Sequence, residues 1–318
     1  MGIGPGGQER SDVGSGPGRG RWTPARLGDL TGQRIVVTGA TNGVGLGTAR
    51  ALVNAGAHVI LAVRNPELGA QRAAELGGTT TVLPLDLADL SSVRAFPARL
   101  DEVCDDIDVL INNAGVVAQQ RSETVDGFEL MLGTNFLGPF ALTNLIFDRI
   151  RTRIVTVGSG GHKAAKLNID DMQLRSSKWN VMGAYARSKL AVMLWGLELD
   201  RRLRAANSPV VAQLTDPGWV ASNISNVSDK PLMSVLHRVV QTAGNALAND
   251  LDAGAAPTLY CLSEPIPPGS YVGVDGFRGL RGAPVLIGRS PVACDYDLAA
   301  RVWEFGEGET GTTLPLPK

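Results

Sequence analysis

Residues 34–45 read RIVVTGATNGVG, and this stretch decides the fold. The β-branched run from Arg34 to Thr38 predicts a short buried strand, and an alanine-rich pattern from about Leu46 to Ala55 predicts a following helix. The glycines between them fall at a strand-to-helix turn, where they permit a tight turn and close approach of the backbone to a ligand. The amino terminus of such a helix attracts a pyrophosphate group.

Strand and helix patterns alternate along the rest of the chain. Further strands are predicted at residues 58–63, 80–85, 107–111, 153–157, 209–214 and 270–274. The alternation predicts a Rossmann-type, doubly wound α/β fold with a mostly parallel, seven-stranded sheet and helices on both faces. In such a sheet, ligands bind at the carboxyl ends of the strands.

Length and composition bound the class of protein. The chain has 318 residues, of which 44% are apolar and 19% charged, so it can form one sizeable core with appendages. Residues 1–27 are rich in Gly, Pro, Arg and Ser and are predicted to be a disordered tail, which leaves 28–318 as one domain. Within it, residues 223–252 are predicted to be a substrate lid and 281–318 a carboxyl-terminal extension.

Charge and cysteine content exclude several kinds of partner. The 30 basic residues nearly balance the 31 acidic ones, which argues against binding to nucleic acid or to an anionic membrane surface. Three widely spaced cysteines indicate a reducing compartment rather than a disulfide framework. No secretory leader or integral membrane segment is predicted, so we expect a cytoplasmic protein with a small-molecule substrate and no metal.

Three motifs resemble those of the short-chain dehydrogenase/reductase family. They are the Thr-Gly-x-x-x-Gly-x-Gly spacing that starts at Thr38, the Asn-Asn-Ala-Gly sequence at residues 112–115 after the fourth strand, and the Tyr185-x-x-x-Lys189 pair. The resemblance covers residues of about 30 to 280, and the long interval between Ser159 and Tyr185 is similar to that of the retinol-dehydrogenase-like branch. It implies hydride transfer between a nicotinamide cofactor and a carbonyl or alcohol carbon.

The resemblance also assigns the catalytic roles. Tyr185 and Lys189 lie four residues apart, on one face of a helix, and a nearby ammonium is expected to lower the pKa of the phenol. Tyr185 would exchange the proton, Lys189 would assist it and bind the ribose, and Ser159 would hold the substrate oxygen. Asn135 would hold a water that links the lysine to solvent, although a core-bonded amide is the alternative.

The cofactor contacts follow from the same motifs. By this resemblance they are Gly39, Thr41, Asn42, Gly43, Val44, Gly45, Arg64, Asp86, Leu87, Asn113, Ala114, Gly115, Tyr185, Lys189, Pro217, Gly218, Val220 and Ser222. Arg64 follows the second strand, where an acidic residue usually selects NAD, so NADP(H) is favoured over NAD(H) unless Arg64 merely ends the strand. Asp86 is equally interpretable as a turn residue, and Ser222 stands where the family has a threonine.

Residues 125–150 predict a long apolar helix with a kink at Pro139. Its apolar side chains include Phe140, Leu145 and Phe147, which look too apolar for a surface element. With the helix after Tyr185 they resemble the family's dimer face, so a homodimer or homotetramer is expected.

The substrate is less defined than the chemistry. The branch resemblance suggests a hydrophobic retinoid, steroid or lipid carbonyl, and His162 is placed near the mouth of the site. One alternative is an NADP-binding sensor or scaffold without turnover, although such a protein would not need Ser, Tyr, Lys and Asn together. A sugar-nucleotide epimerase also uses Tyr-x-x-x-Lys, but the glycine spacing argues against it.

Overall fold

The computed structural model describes residues 21–218, 251–276, 279 and 281–316. Its sheet has eight strands: β1 Arg34–Thr38, β2 His58–Val63, β3 Thr80–Pro84, β4 Ile107–Asn112, β5 Ile150–Val157, β6 Val211–Thr215, β7 Tyr271–Val274 and β8 Pro284–Leu286. The spatial order is β3-β2-β1-β4-β5-β6-β7-β8. Strands β1 to β7 are parallel, and β8 runs antiparallel to β7 at the edge. The predicted doubly wound sheet is confirmed, but its strand number was wrong because β8 is too short for an alternation signal.

Helices cover both faces of this sheet. They are α1 Gly43–Asn54, α2 Pro66–Leu76, α3 Leu90–Asp101, α4 Leu130–Leu132, α5 Gly138–Ile146, α6 Val181–Ala205, α7 Leu251–Ser263 and α8 Tyr296–Thr310. Short 3₁₀ turns occur at Pro24–Leu27, Phe147–Arg149, Gly160–Ala164, Ile169–Asp171 and Pro291–Cys294. One hydrophobic core lies under α1, α2 and α7, and a larger one lies under α3, α5, α6 and α8. The carboxyl ends of the parallel strands therefore meet at one rim between two helical layers.

The apolar stretch 125–150 is not one regular helix. It becomes helical at Leu130, passes through a π-helical segment at Gly133–Leu137, and continues as α5. Pro139 has no N–H to donate to the carbonyl four residues earlier, which is that of Asn135, so the irregular turn precedes the proline. The stretch Leu130–Arg149 is long and apolar enough to cross a membrane, but 89% of its most apolar 18-residue window is buried inside the protein.

Helix α8 covers the surface that suggested a dimer. The ring of Trp303 packs edge-on against Phe140, with 5.1 Å between centroids, and the Arg202 guanidinium of α6 lies 4.4 Å over the Trp303 ring. Phe140 is consequently buried within its own chain, and Phe147 is buried in the same core. Helix α8 therefore accounts for part of the apolarity of this face, and the homodimer or homotetramer stays a prediction.

The described end of the predicted tail is packed rather than loose. Trp22 and Leu27 are buried, and the Trp22 indole donates to the Ser263 hydroxyl at 3.0 Å. The tail therefore ends earlier than residue 27, because an aromatic anchor in this polar stretch reaches α7. Residues 223–250 of the predicted lid lie outside the described residues, and residues 251 and 252 begin α7.

An aspartate caps the start of α3. The helix begins at Leu90, and Asp89 is the N-cap. The Asp89 carboxylate accepts from the backbone N–H groups of Ser91 and Ser92 at 2.8 and 3.3 Å. Asp and Ser are both good caps, and only the backbone path decides which of two neighbours takes the position.

Candidate active site

Helix α6 presents Tyr185 and Lys189 at the rim of the sheet. Its first turn is fixed by Asn180, whose side chain accepts from the Gly183 N–H at 2.8 Å. Tyr185 is half-buried, and Lys189 is 5% exposed. The Lys189 ammonium donates to the Val157 carbonyl at the end of β5, with Nζ and O 2.8 Å apart. The predicted pair is thus brought against a strand end by the helix.

Ser159 lies on the turn that leaves β5. Its hydroxyl accepts from the Gly161 N–H at 3.1 Å, which orients the side chain. The same hydroxyl is close enough to the Tyr185 phenol to lower its pKa by hydrogen bonding. Two hydroxyl groups from distant parts of the sequence therefore face one point, where a substrate oxygen could bind to both.

The titration behaviour of the pair differs from expectation. Burial raises the pKa of Tyr185, the Ser159 hydrogen bond opposes this, and the Asp216 carboxylate raises it further. The expected lowering by Lys189 is not among the causes that act on this pKa, and the ammonium donates to the Val157 carbonyl instead. Burial lowers the pKa of Lys189 to about 8, while Asp216 opposes that fall. Tyr185 therefore starts as a proton donor beside a lysine that titrates near working pH.

Asn135 is a buried amide inside the π-helical segment. Its side-chain oxygen accepts from the Val116 N–H at 2.7 Å, and its nitrogen donates to the Val116 carbonyl and the Ser188 hydroxyl at 3.1 and 2.9 Å. The core-bonded interpretation therefore holds for the side chain. The backbone carbonyl lacks a donor at Pro139, so it is the group of Asn135 that suits a water-holding role.

The glycine turn fits a bound pyrophosphate. Helix α1 begins at Gly43, its cap Asn42 makes no side-chain cap hydrogen bond, and its first turn holds no acidic residue. Gly39 has a φ of +67°, and a Cβ there would lie 2.9 Å from Ala114. The N–H groups that begin α1 can thus donate hydrogen bonds to a bound anion. The half-buried Thr41 and Val44 border the same turn.

The Asn-Asn-Ala-Gly segment links this turn to the catalytic pair. The Asn113 side chain donates to the Thr38 carbonyl at 2.8 Å, and the Ala114 N–H donates to the Thr38 hydroxyl at 3.0 Å. A Cβ on Gly115 would lie 3.2 Å from the Asn135 side-chain oxygen and 3.7 Å from the Lys189 ammonium. Gly45 also packs against Asn113. These small residues let the backbone after β4 lie close to the glycine turn on one side and to Asn135 and Lys189 on the other.

The residues expected near the adenosine end are less uniform. Arg64 is exposed at the end of β2 and makes no hydrogen bond or ion pair with the residues described in the structure. The Asp86 carboxylate accepts from the Ala88 N–H at 2.9 Å, as a turn residue does. Leu87 is buried in the core and packs against Gly138, and its contact with the cofactor stays a prediction.

Pro217 and Gly218 follow β6 at the same rim. Gly218 has a φ of +71°, and its N–H donates to the Asp216 carboxylate at 3.0 Å. The predicted contacts Val220 and Ser222 lie outside the described residues.

Two residues at this rim were missed or misread from the sequence. Asp216 is 9% exposed and accepts from the Tyr271 hydroxyl at 3.2 Å. His162, expected near the mouth, is 1% exposed; its Nδ1 faces the Ser159 carbonyl at 2.7 Å and its Nε2 accepts from the Ser290 N–H at 3.3 Å. Its burial comes from the carboxyl-terminal extension, which no local pattern places here. An aspartate directly before Pro-Gly was the one available signal for Asp216.

This arrangement provides a proton donor, a second hydroxyl for the same oxygen, a buried ammonium and an anion-binding helix start on one rim. A nicotinamide cofactor bound there supplies the hydride, and the protein holds the proton and the substrate oxygen. Such a site on a doubly wound sheet defines an oxidoreductase that acts on CH–OH groups.

Comparison with known proteins specifies the family. The model of the short chain dehydrogenase family matches residues 33–231, and the chain belongs to this family. Human retinol dehydrogenase 13 is 33% identical over 296 residues, which are 90% of this chain and 87% of that protein. Mouse polyprenol dehydrogenase is 35% identical over 308 residues, which cover 92% and 88%. A crystal structure of an uncharacterised protein from Mycobacterium paratuberculosis is 40% identical, with a TM-score of 0.80, and covers 93% of this chain and all of that one.

Proposed function

We propose that this protein interconverts an apolar alcohol and the corresponding carbonyl compound with NADP(H). Tyr185 donates the proton to the substrate oxygen or removes it, and Ser159 holds that oxygen. Lys189 supplies the positive charge beside the phenol, and Asn135 keeps the proton path to solvent ordered. Because the pKa of Tyr185 is raised, its phenol keeps the proton that carbonyl reduction requires it to donate to the substrate oxygen.

An apolar cluster beside Tyr185 carries the proposal for the substrate. Buried Met131, Leu174 and Ala184 form its base. Partly buried apolar side chains lie on it together with the Tyr185 ring: Val116, Val117, Ala118 and Trp179. The Trp179 indole donates to the buried Glu129 carboxylate at 3.2 Å, which holds the ring over this base. Accessible apolar surface next to the proton donor favours a lipophilic substrate.

The names of two relatives agree with this chemistry. Retinol and polyprenol are both long apolar alcohols, and the proteins named for them are similar to this chain over most of its length. The shared property is the class of alcohol, so a long-chain or ring-bearing isoprenoid carbonyl is the first substrate to test.

A substrate panel tests this proposal. NADPH oxidation is measured with retinal, prenyl aldehydes, steroid ketones and short polar aldehydes, and NADP⁺ reduction with the matching alcohols. We expect turnover of the apolar compounds, and a loss of at least about a thousandfold in Tyr185→Phe with cofactor binding retained. Unimpaired turnover in this variant, or turnover restricted to polar aldehydes, would refute the proposal.

Trp179→Ala separates substrate binding from chemistry. Removing the ring deletes apolar contact with a long substrate, so we expect KM for such substrates to rise about tenfold. The same variant acts as its own control with a short aldehyde, for which KM should change little. An equal effect on both substrates would show that Trp179 supports the fold and not the substrate.

The NADP preference depends on Arg64. An exposed guanidinium at the end of β2, without a described partner, is available to a 2′-phosphate. Arg64→Ala is expected to weaken NADP(H) binding about tenfold or more and to leave NAD(H) binding nearly unchanged, measured as Kd by calorimetry. Arg50→Ala is the matched control, since Arg50 is also exposed but pairs with Asp252 at 2.9 Å. A cytoplasmic location stays a prediction.

A further inference from the structure

We propose that Asp216 is a positioning residue of this site: its carboxylate supplies the negative charge that keeps Lys189 an ammonium and sets the pH at which the Tyr185/Lys189 pair exchanges its proton. This role rests on the function proposed for Tyr185, and it belongs to a residue outside the Ser, Tyr, Lys and Asn set.

Sheet register places Asp216 beside the atoms that hold the lysine. Strands β5 and β6 pair with Val157 opposite Thr215, and the Gly158 N–H donates to the Thr215 carbonyl at 2.7 Å. The next residue, Asp216, therefore stands one strand spacing, about 4.8 Å, from the chain segment whose Val157 carbonyl accepts from Lys189.

Close packing brings the carboxylate toward the turn after β5. A Cβ on Gly160 would lie 3.1 Å from the Asp216 carboxylate oxygen Oδ2. A Cβ on the next residue, Gly161, would lie 3.2 Å from the ring of Tyr185. Two consecutive glycines thus lie between the carboxylate and the phenol, and neither of them carries a side chain that could separate the two groups.

The carboxylate is fixed and nearly buried. It accepts from the Gly218 N–H and the Tyr271 hydroxyl at 3.0 and 3.2 Å, and the residue is 9% exposed. Burial and the neighbouring carboxylate raise the pKa of Tyr271, so its phenol remains a donor. Asp216 has no salt bridge of 4 Å or less among the described residues, which leaves its charge to act on Lys189 and Tyr185 through the buried rim.

Other charged groups at this rim do not titrate in the same range. His162 faces the carboxylate from the turn after β5, and burial lowers its pKa below the ordinary value of 6.5. Arg289 lies near His162 and Tyr271 and stays charged throughout. Above neutral pH, changes in activity should therefore report the Tyr185/Lys189 pair.

The negative charge of Asp216 disfavours proton loss from Tyr185 and Lys189. Each proton that leaves the pair makes it more negative, so a fixed negative charge opposes both steps. Asp216→Asn removes that charge at nearly constant shape. We expect the midpoint of the change in kcat/KM with pH above neutrality to fall by about one pH unit.

Matched variants separate charge from structure. Tyr271→Phe deletes a hydrogen bond to Asp216 but keeps its charge, and Asp216→Glu also keeps the charge, so both should leave the midpoint in place. Asp216→Ser, which keeps an acceptor for the Gly218 N–H, is a second neutral variant if Asp216→Asn does not fold. An unchanged midpoint in the folded neutral variants would overturn the proposal.

A stability cycle needs no turnover. At pH 7, Asp216→Asn should lower the denaturant midpoint of the cofactor-free protein, and this loss should disappear in the Lys189→Met background. If the loss persists there, Asp216 merely holds the turn, and the proposal fails whatever Tyr185 does. If Tyr185→Phe stays active while the cycle shows coupling, the proposed catalytic role fails instead.

Discussion

Helix α6 carries two buried charges that the protein treats in opposite ways. Lys189, in its amino-terminal half, is 5% exposed and has no ion-pair partner within 4 Å among the described residues. Glu198, further along, is fully buried and contacts Arg201 and Arg202 at 2.7 and 2.8 Å. Burial pushes the pKa of Glu198 up, but the two guanidinium groups more than offset it and hold the pKa below its ordinary value. A paired buried charge remains fixed, whereas an unpaired one is moved toward working pH.

Glu198 and Lys189 also connect α6 to different parts of the fold. Arg202, which pairs with Glu198, also lies over the Trp303 ring of α8, so this pair connects α6 to the carboxyl-terminal helix. Lys189 contacts the backbone at the end of β5, where the turn that carries Ser159 begins. The Glu198 end of α6 therefore stabilises the fold. Burial of Lys189 at the other end lowers the stability of the fold, as is common at functional sites.

Lys189→Met is the strongest test of this contrast. Removal of the ammonium should lower kcat/KM by about a hundredfold to ten-thousandfold, because the phenol loses its nearby positive charge. The same change should raise the free energy of unfolding of the cofactor-free protein at pH 7 by on the order of 3 kcal/mol, because the buried amine has a pKa of about 8 instead of 10.5. Steady-state kinetics and urea unfolding measure the two effects. A variant that is both inactive and less stable would contradict the functional interpretation.

Glu198→Gln should do the reverse. Loss of the carboxylate weakens contacts to two arginines, and we expect the free energy of unfolding to fall by about 2 kcal/mol while kcat/KM changes less than twofold. Chemical denaturation and kinetics at pH 7 check this. Arg201→Ala is the milder control, since Glu198 keeps Arg202, and it should cost about 1 kcal/mol or less. A large loss of activity in Glu198→Gln would show that the two halves of α6 are coupled.

The pH dependence of stability gives the smallest and most specific effect. The folded pKa of Lys189 lies below its unfolded value, so the unfolded chain binds more protons between about pH 8 and 10.5 and stability rises with pH there. The advantage of Lys189→Met should therefore be complete below pH 8 and shrink toward pH 10.5. The contribution of Glu198 has the opposite window: it is present above the unfolded carboxyl pKa and is lost as pH falls through the lowered folded value. The measurement is the denaturant midpoint of Lys189→Met and of Glu198→Gln at a series of pH values. If the two curves run parallel, the assigned pH windows are wrong.

Local patterns predicted much of the site because they encode local geometry. The glycine spacing after Thr38 predicted a strand-to-helix turn, and four-residue spacing predicted that Tyr185 and Lys189 share a helix face. The same patterns could not predict that the Lys189 ammonium turns to the Val157 carbonyl. They also missed the burial of His162, because its contact with Ser290 joins segments far apart in the chain.

Sequence alone determined the fold class, the glycine turn before α1 and the shared helix face of Tyr185 and Lys189, since turns, helix faces and strand runs depend on neighbouring residues. Tertiary structure decided the rest. It buried Lys189 with no close ion pair to any residue that the structure describes, brought Asp216 beside the turn after β5, and packed α8 against Phe140 of α5. These outcomes depend on strand register and on which surfaces meet, and the resulting desolvation sets the pKa values that the chemistry uses.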